Sequence, residues 1–188
     1  PRYHLTCVCM YDQHYKVKSF SASTIAPLTS EMDEKERIDP AIVKQLFQNG
    51  LMGIEVPRDF QGAGMDFVSA IIAVEEIAKV DPAVAVLLDV HNTLVNTVFM
   101  RYGSEKVKQH FLPKLSTDTV GSFCLSESTS GSDAFALKTT SKKQKDGKYV
   151  IAGEKMWISN SDQAGIFLVF ANADPGKGYK GITCFAVD

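Results

Sequence analysis

Near residue 115 the hydrophobic spacing of this chain changes period, and that change limits the folds open to it. Before Leu115 apolar residues recur every three to four positions. After it, short runs rich in β-branched and aromatic residues alternate with turn signals. In "DPAIVKQLFQNG", Asp39 is placed to cap a helix that begins at Pro40, buries Ile42, Val43, Leu46 and Phe47 along one face, and closes at Gly50. Beyond the breaker-rich loop "EVPRDFQGAGMD", Asp66 caps a second helix. Its spacing turns Ala70, Ile71, Val74, Ile77 and Ala78 inward and Glu75, Glu76 and Lys79 outward. Asp81-Pro82 opens a long helix to about Tyr102, apolar on most sides and so expected to be buried on more than one face. A shorter helix from Ser104 is expected to stop at Pro113.

Downstream, "TVGSFCL", "GKYVIAG", "KMWIS", "GIFLVFANA" and "GITCFAV" read as strands, separated by turn signals such as Asp146-Gly147, Gly153-Glu154 and Asp174-Pro175-Gly176. A helical half followed by a β half is an α+β arrangement. The expected division is a divergent segment over 1–16, an all-α helical domain over 17–118, and a β-sheet or barrel domain over 119–188. The final strand runs to the last residue with nothing left to pair against it, which predicts that these residues belong to something longer.

Composition narrows the function classes. The 188 residues are 45% hydrophobic with a net charge of −2, which leaves no basic footprint for nucleic acid. The longest uninterrupted apolar runs, such as "AVAVLL", are far shorter than a membrane span, and no basic amphipathic run suggests a membrane-surface helix. Cys7, Cys9, Cys124 and Cys184 form no C-x-x-C pair and read as free thiols. His4, Cys7, Cys9 and His14 match no standard zinc spacing, so no metal is expected.

The stretch "FCLSESTSGSDAF" places five hydroxyl side chains, one glycine and two carboxylates directly behind an apolar run. Three readings fit: a solvated turn between strands, a nucleophile loop, or a donor-rich cradle for an acceptor-rich ligand. The nucleophile reading lacks a G-x-S-x-G elbow and has only His110 nearby in sequence. The cradle reading rests on successive N–H groups around Gly131 beside the Ser and Thr hydroxyls. Trp157, the only tryptophan, is either a core aromatic or an indole packed on a flat ligand ring.

"CLSESTSGSDAFA" resembles, position by position, the signature of the acyl-CoA dehydrogenase family, and "KMWISN" resembles that family's second flavin-contacting segment. "GLMGIEVP" and "EEIAKVDPAVAV" look like its helical domain, while "HNTL" and "DPGKGYKGIT" are most similar to its short/branched-chain-specific members. The resemblance covers roughly residues 17–188. It implies an N-terminal helical domain, a middle β domain and a C-terminal helical bundle, the last absent from these residues. It implies bound FAD, contacted by Phe123, Cys124, Leu125, Ser126, Glu127, Ser128, Thr129, Ser130, Gly131 and Ser132 and by Trp157, Ile158 and Ser159. Ser132 and Tyr179 match positions that contact the acyl-CoA ligand. The implied reaction is α,β-dehydrogenation of a short or branched-chain acyl-CoA. Electron transfer flavoprotein is the implied acceptor, a homotetramer the implied assembly and the mitochondrial matrix the implied location.

The family's catalytic glutamate has no counterpart here, and Glu127, inside the flavin motif, is not expected to replace it. Two further places depart from the pattern: "STS" at Ser128–Ser130 stands where smaller residues are usual, and Gln61 replaces a glycine. Bulk at Thr129 is expected to crowd a cofactor or to require a backbone angle that a β-branched residue resists. These departures motivate an alternative, a truncated remnant that binds no flavin. An acyl-CoA oxidase is a further alternative within the family.

Overall fold

The computed structural model describes residues 14–188, which divide into two compact units between Thr119 and Val120. His4, Cys7 and Cys9, and most of the divergent N-terminal segment, lie outside the described residues.

The helical unit follows the capping signals closely. Asp39 accepts from Ala41 N–H at 2.7 Å, Asp66 from Ser69 N–H at 2.9 Å, and Asp81 from Ala83 and Val84 N–H at 2.9 and 3.1 Å. Each cap satisfies donors that the first helical turn cannot pair internally. The helices they start are Pro40–Gln48, Phe67–Ala78 and Pro82–Tyr102. Ile42, Leu46, Met52, Ile77, Leu88, Phe99, Leu112 and Leu115 form the fully buried centre.

Two expectations fail here for physical reasons. The last helix runs Glu105–Thr117, straight through Pro113. An interior proline costs about 3 kcal/mol, but burying Leu112 and Leu115 returns about 1.5–3 kcal/mol each. The carbonyl deprived of its donor belongs to exposed Gln109, and Phe111 stacks on Phe99 at 4.8 Å on the opposite side. Glu76, expected outward, is 5% exposed, because it shares a face with Ser69 and Ala73. Its carboxylate is matched by Lys79 at 2.5 Å and His14 at 3.1 Å. Hydrogen bonding to Lys79 holds it below the usual carboxylate range against the opposing effect of burial. Ile71, expected inward, is instead exposed with Phe67 and Val68.

Helix Pro82–Tyr102 is long and apolar enough by composition to cross a membrane, which counting uninterrupted runs did not reveal. Half of that apolar stretch is packed inside the unit, and its middle, Val90–Asn96, widens into a π-helical turn. That widening aligns three buried polar side chains. Asn92 accepts from Ile54 N–H at 3.1 Å and donates to the Leu51 carbonyl at 2.9 Å, while Asn96 donates to the Met52 carbonyl at 2.9 Å. His91 Nε2 lies 2.8 Å from the Leu115 carbonyl oxygen. In the buried turn Leu51–Gly53 the Leu51 and Met52 carbonyls are thus satisfied by side chains, and the Gly53 carbonyl by Ala63 N–H at 2.8 Å.

In the second unit β4 (Ala164–Asn172) is central. It pairs in parallel with β1 (Val120–Cys124) and antiparallel with β5 (Ile182–Val187). β2 (Thr140–Lys143) meets it in parallel at Thr140↔Asn172 and forms an antiparallel hairpin with β3 (Tyr149–Ala152). This mixed sheet bears out the helical-then-β order. The terminal strand, expected to lack a partner, is paired with β4 from Phe167↔Val187 to Asn172↔Ile182. β2, "TSKK", was not anticipated, since it lacks the apolar alternation that marks a half-buried strand. "KMWIS" is a loop and not a strand: Trp157 has φ +58° and Asn160 φ +68°, incompatible with an extended backbone.

Gln61 occupies the left-handed region at φ +64°, where a side chain costs roughly 1–2 kcal/mol. Gln61→Gly is expected to raise unfolding free energy in urea by up to about 1 kcal/mol, allowing for glycine's unfolded-state entropy. Burial holds His91 at about 4, below its ordinary 6.5, so the unfolded chain binds the extra proton first. Stability from this site is complete above pH 6.5 and is lost by about 3 kcal/mol as pH falls toward 4; His91→Gln should flatten that slope.

Candidate functional site

The hydroxyl-rich loop leaves β1 at Cys124 and turns back on itself within four residues. Glu127 N–H donates to the Ser130 carbonyl at 2.9 Å and Ser130 N–H to the Glu127 carbonyl at 3.1 Å, so Ser128 and Thr129 form the corners of a tight turn. Neither corner has positive φ, so Thr129 adopts the bend without the backbone conflict expected of a β-branched residue. Ser128, Thr129, Gly131 and Ser132 face solvent, Phe123, Leu125 and Ser126 are half-buried, and Cys124, Glu127 and Ser130 are buried. A Cβ added at Gly131 would meet nothing within 4 Å, and Gly131 has no positive φ. The fold itself therefore makes no demand for glycine there.

Glu127 holds the loop. Its side chain is 5% exposed and accepts from Lys138 N–H at 2.6 Å, Thr139 N–H at 3.1 Å and Lys155 Nζ at 2.7 Å. Burial alone would raise its carboxyl, but the Lys155 ammonium and the N–H donors outweigh that and hold it at about 2. Lys155 Nζ also donates to the Leu125 carbonyl at 3.0 Å. One buried ion pair thus ties together the turn after β1, the entry to β2 and the loop after β3.

That third segment carries Trp157. Met156 N–H donates to the Ser126 carbonyl at 2.9 Å, Ser122 Oγ donates to the Ser159 carbonyl at 2.6 Å, and Asn160 Nδ2 donates to the Gly121 carbonyl at 3.1 Å. Five hydrogen bonds made by Lys155, Met156, Ser159 and Asn160 therefore staple this loop along β1 and its exit. Between them Trp157 is held at φ +58°, a strained angle for a bulky residue, with its indole 88% exposed. The core-aromatic reading is excluded. Ile158 and Ser159 beside it are half-buried.

The structure thus brings the two sequence-predicted segments together, Phe123–Ser132 and Trp157–Ser159, through hydrogen bonds made by their flanking residues Gly121, Ser122, Lys155, Met156 and Asn160. It also shows which side chains are committed elsewhere. The Glu127 carboxylate is occupied, Ser130 Oγ donates to the Asp133 carbonyl at 3.0 Å, and burial raises the Cys124 thiol above its ordinary range. Burial likewise pushes Cys184 up to about 11, so both thiols stay protonated near neutrality. Sequence reasoning missed Lys155, Lys138, Thr139, Ser122 and Asn160. Their partners lie 11 to 39 positions away, beyond the reach of any helical or strand period. Among the described residues no cluster of three or more His, Cys, Asp or Glu could hold a metal ion.

A helical unit followed by a mixed sheet that presents a donor-rich turn and an open indole defines a recognisable class. Residues 14–119 match the acyl-CoA dehydrogenase N-terminal domain and residues 122–188 the acyl-CoA dehydrogenase middle domain. The chain belongs to the acyl-CoA dehydrogenase family. It is 51% identical over 172 residues to a probable short/branched chain specific acyl-CoA dehydrogenase of Dictyostelium discoideum, covering 92% of this chain and 42% of that protein. The mitochondrial short/branched chain specific acyl-CoA dehydrogenase of Rattus norvegicus is also 51% identical over 172 residues, covering 92% of this chain and 40% of its own length. Among solved structures, butyryl-CoA dehydrogenase from Megasphaera elsdenii superposes with a TM-score of 0.91 at 33% identity, covering 95% of this chain and 48% of that one. The chain therefore spans about two-fifths of the length of the curated relatives it matches.

The ion pair makes a direct prediction. Glu127→Gln keeps the shape but strands Lys155, 11% exposed, without its counter-charge, and should cost about 2–4 kcal/mol in urea unfolding. In the wild type the folded carboxyl sits below its ordinary 4.5, so this stabilisation is complete above pH 4.5. About 3 kcal/mol of it should disappear as pH falls toward 2, a slope absent from the Gln variant.

Proposed function

We propose that this chain is the helical and middle portion of a FAD-dependent enzyme that dehydrogenates short or branched-chain acyl-CoA thioesters to 2-enoyl-CoA. The observation that carries the reading is the hydrogen-bonded junction of the Ser126 turn with the Trp157 loop, which leaves an indole and several hydroxyls open on adjacent segments. The residues fit such a cofactor. Gly131 leaves space that the fold does not use, Ser126 offers a half-buried hydroxyl and backbone groups, and Trp157 offers an uncovered ring face. Phe123–Ser132 and Trp157–Ser159 would hold the flavin, with Glu127 and Lys155 acting only on the loops that carry it. Ser132 and Tyr179 would contact the acyl-CoA.

Bound FAD supplies the acceptor for the hydride that leaves the β carbon. The chain's own residues orient: the turn presents donors at fixed positions, and the stapled loop sets the plane against which a flat ring packs. The carboxylate inside the flavin motif does not suit the base that takes the α proton. Glu127, held at about 2 and saturated with donors, is both too weak and too engaged. The family pattern puts the base outside these residues, and on this reading the chain alone is inactive. Electron transfer flavoprotein as acceptor, a tetrameric assembly and the mitochondrial matrix complete the reading, supported by the family and by the mitochondrial relatives in rat and cattle.

Full-length protein should purify yellow, and its flavin absorbance should bleach anaerobically when butanoyl-CoA or 2-methylbutanoyl-CoA is added. A folded, colourless full-length protein that cannot be reconstituted with FAD would refute the proposal. At the level of this chain, Gly131→Ala should leave unfolding free energy within about 0.5 kcal/mol of wild type, as for an unconstrained surface position, yet weaken FAD binding measured by equilibrium dialysis.

A further inference from the structure

Phe135 and Tyr179 stand on separate loops of the sheet unit, Ala134–Ala136 and Pro175–Gly181, yet their ring centroids are 5.2 Å apart with the planes inclined by 38°. Both remain open, Phe135 at 68% and Tyr179 at 57% exposure. The backbone beneath each is fixed. Ser130 Oγ donates to the Asp133 carbonyl at 3.0 Å, and Ala136 N–H donates to the same oxygen at 3.2 Å. On the other loop, the Asn172 amide donates to the Gly178 carbonyl at 3.1 Å and Ala173 N–H to the Gly181 carbonyl at 2.8 Å. Two aromatic rings in contact on anchored loops, with most of their area in water, form a preorganised surface that the fold itself does not cover.

We propose that Phe135 and Tyr179 form a stacking platform for the adenine ring of the CoA thioester. The inference rests on the acyl-CoA reading above; it adds Phe135 to the site and assigns the pair to the nucleotide end of the ligand. An alkyl chain gains about 0.8 kcal/mol per methylene only where it is removed from water on all sides, and an open pair covers one side. A purine gains from contact on a single face while its polar edge stays hydrated. The charge nearby agrees. Lys138 and Lys180 belong to the same two stretches of chain, and neither has a carboxylate partner among the described residues, whereas Lys177 is held by Asp174 at 2.9 Å. Uncommitted ammonium groups complement the phosphates that accompany adenine in CoA.

The test compares butanoyl-CoA with butanoyl-pantetheine, which lacks the nucleotide, by calorimetric titration of the full-length protein as wild type, Phe135→Leu and Phe135→Trp. Leucine keeps apolar bulk at a 68% exposed position but removes the π face, and circular dichroism confirms that the variant is folded. Loss of one stacking aromatic should weaken butanoyl-CoA binding at least about fivefold, while butanoyl-pantetheine binding is unchanged and Phe135→Trp restores affinity. Equal weakening of both ligands would put Phe135 against the acyl arm and overturn the proposal. So would an unchanged affinity for both. A full-length wild-type protein that binds neither thioester removes the acyl-CoA reading itself, and the platform with it.

Discussion

A carboxylate and an ammonium taken out of water cost several kcal/mol each unless every remaining lone pair and proton finds a partner. Glu127 and Lys155 meet that condition, with two backbone N–H groups and one carbonyl completing the shell. The rest of the site depends on this pair, because it is the point where three chain segments distant in sequence become one surface. Neutralising either charge leaves the other buried alone, so the loops are held by a penalty for leaving as much as by an attraction for staying.

The helical unit applies the same rule with neutral groups. His91, Asn92 and Asn96 lie on a π-helical stretch and take up backbone groups of Leu51–Ile54 and Leu115 that are buried away from solvent. Widening the helix by one residue per turn brings the three side chains onto the loop they serve. In both units, buried polar side chains fix irregular backbone, and regular elements supply the apolar mass around it.

Much of the fold was legible in the sequence because local chemistry decided it. Asp39, Asp66 and Asp81 cap helices whose starts could be read from the residue itself and its neighbour. The change of period near residue 115 separated helices from strands for the same reason. Where packing outweighed local preference, the reading failed: Pro113 continues a helix because Leu112 and Leu115 are buried, and Glu76 is inside because it shares the buried face of Ser69 and Ala73, with Lys79 and His14 matching its charge. The motif singled out two loops, but not how they are held. Nothing local marks Lys155 as the partner of an acid 28 positions away, or signals that Trp157 sits in a strained loop rather than a strand.

The central claim is that the Ser126 turn and the Trp157 loop form one ledge for a flavin ring. Trp157 is the chain's only tryptophan and is 88% exposed, so its fluorescence reports on that ledge without interference. Titrating the folded chain with FAD, with correction for flavin absorption, should give saturable quenching with a dissociation constant in the micromolar range. An emission that stays unquenched at every FAD concentration, from a chain shown to be folded in the same sample, would contradict it.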